Sequence, residues 1–232
     1  MPRYARVVDT RTRIVDAAIA LFNRHGVAAI STNHVAAALE ISPGNLYYHF
    51  RNKDEIVRAA FDRLAQESDA SWDGIEGRAE DLVRLVVDTI ALYSRYLFLA
   101  RELPALLIAD PALRRRYHKL QARRIEQLET ILEALVSHDV LRRPRHGTLR
   151  TLAESCWILA MFWLPHVELA GERPDLARGA NLVLQVLEPH LRDGVHEVLS
   201  KVIALAADEH ALPSRVSPVG TPRSRNKPIP SP

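Results

Sequence analysis

Apolar residues recur every three to four positions along most of the chain, which is the spacing of α-helices with one buried face. In the first such segment Ile14, Ala18 and Phe22 share a face, and Gly26 follows as a helix stop. No stretch alternates apolar and polar residues as a half-buried strand does. The pattern therefore predicts an all-α protein. Helices are expected near residues 10–25, 54–71, 78–97, 98–108, 111–139, 147–170 and 175–207, with breaks at Pro104, Pro111, Pro144 and residues 171–174.

Two shorter helices are predicted between residues 30 and 50. Thr32 supplies a cap for the first, and Ser42 caps the second with Pro43 at its first position, where the missing N–H costs nothing. Leu46 and Phe50 lie four apart and face inward, which leaves the rest of the second helix free for a partner. This layout is typical of a helix-turn-helix whose second helix enters the major groove of DNA.

Residues 10–61 resemble the tetracycline-repressor (TetR/AcrR) family of bacterial transcriptional regulators. The resemblance rests on the helix stop at Gly26, on the run Leu46-Tyr-Tyr-His-Phe50 and on Asn52-Lys53-Asp-Glu55 in register with it. It implies an N-terminal three-helix DNA-binding domain followed by a larger helical ligand-binding and dimerisation domain. The expected domains are residues 1–53, with an arm at 1–9, residues 54–210, and a disordered basic, proline-rich tail at 211–232.

The resemblance also divides the helix-turn-helix side chains into two sets. Hydroxyls, an imidazole and an ammonium suit phosphate oxygens, whereas asparagine offers a donor and an acceptor to a base edge. Phosphate contacts are expected from Thr32, Ser42, Tyr47, Tyr48, His49 and Lys53, and base contacts from Asn33, Pro43, Gly44 and Asn45.

Alternatives remain for some of these residues. The Tyr47 ring is as compatible with the core as with a phosphate contact, and His49 and Lys53 are also compatible with an ordinary solvated surface. The turn between the two helices holds Glu40 where relatives often have glycine. If Glu40 adopts a positive φ, the strain costs about 1 kcal/mol.

The helix from Thr148 to Leu169 is apolar around most of its circumference, so it must be buried on more than one side. The resemblance implies a homodimer formed by the last two long helices, although burial within one subunit is the simpler alternative. The expected interface residues are Leu152, Leu159, Trp163, Leu182, Val186 and Val195.

The resemblance further implies a cavity in the body for a small-molecule effector. Inward-facing aromatic side chains favour a hydrophobic or amphipathic ligand. The candidate lining residues are Tyr93, Tyr96, Phe98, Tyr117, Trp157, Phe162 and Trp163, with His118, Glu154 or His166 as polar orienting groups.

Composition and charge fit this interpretation. The net charge of the 232 residues is +3, but residues 1–53 and 211–232 each carry +4, so a slightly acidic body has basic ends suited to DNA phosphates. One cysteine and no apolar leader favour a reducing cytoplasm, and no apolar run is long enough for a membrane. No cofactor or metal site is expected.

Enzymatic motifs are absent from the sequence: it contains no phosphate-binding Gly-rich loop, nucleophile elbow or paired-cysteine zinc spacing. The sequence therefore predicts a non-enzymatic homodimeric regulator that binds a two-fold operator in double-stranded DNA and is released by a small molecule. Two alternatives are a DNA-bound organiser or division-control protein without a small-molecule effector, and an all-helical enzyme with a vestigial DNA-binding head.

Overall fold

A computed structural model of the protein describes residues 9–72, 74–172, 175–195, 197, 199–201 and 203. These residues form α-helices and one 3-10 turn, and their sole β-type pairing is an isolated bridge between Leu141 and Leu191. The all-α prediction is confirmed. The helices are α1 (Thr10–His25), α2 (Thr32–Ala38), α3 (Pro43–His49), α4 (Lys53–Trp72), α5 (Ala79–Arg95), α6 (Leu97–Ala109), α7 (Pro111–Ser137), α8 (Leu149–Leu169) and α9 (Leu176–Leu187), followed by the 3-10 turn Glu188–His190.

The predicted arm and tail fall largely outside the described residues. Asp9, placed at the end of the arm, is the N-cap of α1, because its carboxylate accepts hydrogen bonds from the backbone N–H groups of Arg11 and Thr12. Residues 195, 197, 199–201 and 203 are helical and follow the break after α9.

Helices α1, α2 and α3 and the first turns of α4 enclose a small core, which we call the head. In α1 and α4 the buried residues recur three or four apart, as the sequence pattern predicts. The fully buried side chains of this core are Ile14, Ala18, Phe22, Val35, Ala36, Leu46, Phe50, Ile56 and Ala60. Helix α4 runs from the head into the rest of the chain, which we call the body, and crosses the predicted domain boundary at residue 53.

The cap of α2 differs from the prediction. Ser31 is the N-cap, and its hydroxyl accepts from the backbone N–H of His34, while the His34 ring nitrogen Nδ1 accepts from the Ser31 N–H. This is a capping box with histidine in the position usually held by glutamate or glutamine. Thr32 is the first helical residue, and its hydroxyl is free to contact α3.

Two predicted helix boundaries are also wrong. Pro104 does not end a helix but lies inside α6 on its exposed side, where one missing backbone hydrogen bond is tolerated. The long final helix predicted at 175–207 is interrupted, because the 3-10 turn containing Pro189 is followed by extended backbone at Leu191, which pairs with Leu141.

The body packs α5 against α8 and α9, and α7 against α8 and α6. Helix α4 contacts α5 and α7, while α6 contacts both α1 of the head and α8 of the body. The continuous helix α4 and the packing of α1 on α6 therefore both connect the head to the body.

Candidate DNA-binding surface and ligand cavity

The exposed face of α3 is formed by the residues expected to contact DNA. Pro43, Gly44 and Asn45 are exposed at its N-terminal end, and the hydroxyl of Ser42 caps it by accepting from the Asn45 N–H at 3.1 Å. Tyr48 is 85% exposed, which is unusual for so large a side chain. Leu46 and Phe50 are buried in the core of the head, so they anchor the inner face of α3 and leave its polar groups on the outer face.

Tyr47 is neither a core residue nor fully free. Its side chain is 49% exposed, and its hydroxyl lies 3.0 Å from the Thr32 hydroxyl. The pair joins the start of α2 to the middle of α3 and holds two hydroxyl groups side by side. Asn33 is exposed on the adjacent position of α2. Such a pair of hydroxyls has the chemistry to donate to phosphate oxygens.

The C-terminal end of α3 is held by Arg11, a residue that the sequence analysis did not single out. Its guanidinium donates to the His49 carbonyl at 2.9 Å and lies 4.2 Å above the Phe50 ring. A cation at this helix end satisfies an unpaired carbonyl and interacts favourably with the helix dipole. No sequence signal predicts this contact, because Arg11 is 38 residues from His49.

Lys53 has a partner inside the protein. Its ammonium donates to the Val27 carbonyl at 2.6 Å, and the Val27 N–H donates to the Glu102 carboxylate of α6 at 2.9 Å. An ammonium has three N–H donors, so this contact is compatible with an additional phosphate contact.

The turn between α2 and α3 contains the strained residue that the sequence indicated. Glu40 has a φ of 55°, in the left-handed region that favours glycine. Its backbone N–H donates to the Ala37 carbonyl, and the N–H of Ile41 donates to the Ala36 carbonyl, so two hydrogen bonds hold the turn. Strain of about 1 kcal/mol is smaller than the free energy gained by burying Leu46 and Phe50, so the turn keeps this conformation.

An apolar cavity lies in the body where the end of α4 meets α5, α7, α8 and α9. Thr89 and Cys156 contribute a hydroxyl and a thiol, and no charged side chain belongs to the lining formed by the described residues. Burial raises the pKa of the Cys156 thiol to about 12, so it stays neutral. The lining consists of Trp72, Leu82, Leu85, Val86, Thr89, Leu128, Ile131, Leu132, Ala153, Cys156, Trp157, Ala160, Val183 and Leu187.

Of the predicted ligand-binding residues, Trp157 lines this cavity and the others lie elsewhere. Phe98 is fully buried at the junction of head and body, where its ring packs on Phe22 with centroids 5.2 Å apart. Tyr96 donates its hydroxyl to Glu67 at 2.8 Å, and the Trp163 ring packs against Gly179. Tyr93 and Tyr117 are buried outside the lining; His118, Phe162 and His166 are exposed; and Glu154 pairs with Arg150 at 3.6 Å.

Comparisons with known proteins agree with this architecture. Residues 14–60 match the family model described as "Bacterial regulatory proteins, tetR family", and residues 56–199 match the one described as "Bacterial transcriptional repressor". The chain belongs to the TetR family of bacterial transcriptional regulators. A TetR-family regulator from Marinobacter aquaeolei VT8 has a solved structure that is 30% identical, with a TM-score of 0.75, over 88% of this chain and 99% of that chain.

Two further proteins are similar over a shorter stretch or at lower identity. The regulator TtgR of Pseudomonas putida is 36% identical over 61 residues, which are 26% of this chain and 29% of that protein. The match therefore spans less than a third of this curated relative's length. The solved SmeT–triclosan complex is 23% identical, with a TM-score of 0.58, over 80% of this chain and 93% of SmeT, and shows a common fold.

In this TetR-family protein, α8 carries an apolar stripe on its outer face. Ile158, Phe162 and Leu169 are 57%, 44% and 90% exposed, and they follow one another at helical spacing. Of the predicted dimer residues, Leu152 and Trp163 are buried within the subunit, whereas Leu159, Leu182, Val186 and Val195 are half-buried. Phe162 was predicted to line the cavity but lies on this exposed stripe, and Ile158 and Leu169 were not among the predicted interface residues.

The described residues include no helix long and apolar enough to cross a membrane.

Proposed function

We propose that this TetR-family chain is a homodimeric transcriptional repressor that acts in the cytoplasm, binds a two-fold DNA operator through α3 and leaves it when an uncharged, apolar small molecule enters the body cavity. The observation that carries the DNA-binding part is the outer face of α3. It exposes Asn45 and Tyr48 on a helix fixed from behind by Leu46 and Phe50. Selection of genomic DNA fragments by the purified protein tests the proposal, which requires enrichment of a sequence with two inverted half-sites.

Within the proposed operator complex, base reading and backbone contact fall to different residues. We expect Asn45→Ala to change the base preference at one half-site position by about 1–3 kcal/mol, because an amide at this place addresses a base edge. Tyr48→Phe removes only a hydroxyl and is expected to lower affinity for all sequences about equally. Fluorescence titrations with the selected operator and its single-base variants, at one salt concentration, measure both effects. Unchanged base preference in Asn45→Ala contradicts the role of that residue.

The effector part of the proposal rests on the cavity. Its apolar lining favours ligands without charge, since a buried unpaired charge is expensive. The solved complex of SmeT with triclosan supports a small-molecule effector, because SmeT has the same fold as this chain. The cavity also favours an effector-controlled repressor over the alternative of a DNA-bound organiser, which requires no such space.

We expect Ala160→Phe to reduce effector binding, because Ala160 lines the cavity and a phenyl ring would occupy it. The probe is N-phenyl-1-naphthylamine, an uncharged fluorophore that brightens in apolar surroundings. The wild-type protein should bind it and lose affinity for the operator, whereas Ala160→Phe should bind it about tenfold more weakly, equivalent to about 1.4 kcal/mol. Ala122→Phe, on the exposed side of α7, is the matched control. Equal binding by both variants contradicts the assignment of the cavity.

A further inference from the structure

The head is joined to α6 by a set of polar contacts at the C-terminal end of α1. The Asn23 side chain donates to the Arg95 carbonyl at 2.8 Å and accepts from the Phe98 N–H at 2.9 Å. These are backbone groups at the end of α5 and the start of α6, which lack partners within their own helices. Asn23 thus spans the break between α5 and α6 and fixes the head to it, with Phe22 packed on Phe98 beneath.

Arg101 of α6 connects this junction to α8. One guanidinium nitrogen, Nη1, donates to the Asn23 carbonyl at 2.7 Å. The other two nitrogens form a bidentate pair with the Glu168 carboxylate, in which Nε lies 2.5 Å from Oε2 and Nη2 binds Oε1. Both side chains are partly buried. A planar bidentate pair resists rotation as well as separation, which a single contact between point charges does not.

Glu168 lies near the end of the helix that carries the exposed apolar stripe. Its neighbour Leu169 is part of that stripe. Arg101 therefore touches the head on one side and the proposed dimer helix on the other. In the proposed dimer α8 packs at the two-fold axis, so the angle between α8 and the head determines how far apart the two α3 helices lie. Helix α4, which also joins the head to the body, forms ion pairs with α7 through Asp62 and Asp69.

From this geometry we infer that Arg101 is a positioning residue that sets the half-site spacing accepted by the dimer, through its simultaneous bonds to Asn23 and Glu168. The inference rests on the proposed two-fold binding of DNA. One added base pair moves a half-site by about 3.4 Å and rotates it by about 35°, given about 10–10.5 base pairs per turn. A rigid connection opposes this displacement, and bivalent binding is lost where the geometry forbids simultaneous engagement. Arg101 acts in this proposal through Asn23 and Glu168 and is assigned no contact with DNA.

The experiment compares operators whose centre is lengthened or shortened by one base pair, together with a single half-site. The wild-type protein is expected to lose about tenfold or more in affinity for each altered spacing. In Arg101→Met, which keeps an apolar stem, the loss should fall to about threefold or less, while affinity for the single half-site stays unchanged. For Glu168→Gln the loss of affinity at altered spacing should lie between that of the wild type and that of Arg101→Met, because the amide oxygen still accepts one hydrogen bond from Arg101.

The matched control is Glu172→Gln, which makes the same substitution four residues after Glu168, beyond the end of α8, and removes an exposed pair with Arg178. It should keep the wild-type dependence on spacing. The inference is overturned if Arg101→Met and Glu168→Gln both keep the wild-type dependence of affinity on spacing. It is also overturned if these variants lose as much affinity for the single half-site as for the two-fold operator. A wild-type protein indifferent to spacing overturns the two-fold operator itself, so the two failures are distinguishable. Arg101→Lys supplies a milder variant if Arg101→Met does not fold.

Discussion

Phe162→Glu should turn the protein into a monomer and lower its affinity for the two-fold operator by about 100-fold or more, the usual scale of lost bivalency. Phe162 is 44% exposed on α8 in the single chain, and Ile158 lies one turn before it. In a two-fold interface each substitution acts twice, because the same patch occurs on both subunits. Two carboxylates would then be placed in an apolar contact without partners, which costs several kcal/mol.

The effect of Phe162→Glu is measured by sedimentation velocity and by operator titration at the same protein concentrations. Ala122→Glu is the control, because it adds the same charge to an exposed position of α7 away from the stripe. The control should remain a dimer and bind the operator as the wild type does. A dimeric Phe162→Glu protein with full operator affinity would show that another face makes the dimer.

The head could be predicted from sequence in detail because its signals are local. Ser42, Pro43 and the inward pair Leu46 and Phe50 lie within nine residues and together define the start, end and buried face of α3. Glu40, the turn residue at which a positive φ was considered, adopts one in the structure. The Ser31 cap was missed because Thr32, the next residue, has the same capping chemistry.

The cavity could not be predicted because helical periodicity shows which side of a helix is buried but not what it is buried against. Phe98 and Trp163 have the same pattern as Trp157, yet they pack against Phe22 and Gly179. Trp72, which lines the cavity, lies one residue beyond the helix predicted at 54–71. Which aromatic side chain faces empty space depends on contacts between helices that are far apart in the sequence.

Arg124 shows that helical periodicity also does not predict which charged side chain is buried. It lies beside Arg123 on α7, and the sequence indicates a solvated, ion-paired face for both. In the structure Arg124 is only 1% exposed, with its guanidinium 4.7 Å from the centre of the Trp72 ring. It donates to Ser68 at 3.0 Å, to Gln127 at 2.5 Å and to the Asp69 carboxylate. Both guanidinium groups reach Asp69 of α4, but Arg124 also contacts Ser68 and the Trp72 ring, and helical periodicity on α7 does not show this difference.

Asp69 provides the carboxylate for this buried cation, so Asp69→Asn should destabilise the protein by about 1–3 kcal/mol. This loss is smaller than that expected for a fully buried ion pair, because Asp69 is partly exposed. Removing the charge leaves Arg124 buried with only neutral acceptors. The control is Asp62→Asn on the same helix, whose partner Arg116 is about as exposed as Asp62 itself. A surface pair of this kind contributes about 0–1 kcal/mol. Urea unfolding at a fixed protein concentration measures both variants.

The effect of Asp69→Asn should depend on pH with a defined sign. Burial raises the pKa of Asp69, but the hydrogen bonds from Arg124 and Arg123 outweigh it and hold the pKa below the ordinary value of 3.8. The unfolded chain therefore takes up this proton first as pH falls, so the contribution of Asp69 is complete above about pH 5 and decreases as pH falls through the depressed pKa. The difference in unfolding free energy between wild type and Asp69→Asn should be constant from about pH 8 to about pH 5 and shrink below about pH 4. A difference that grows on acidification would mean that the carboxylate is not bound to Arg124 in the folded protein.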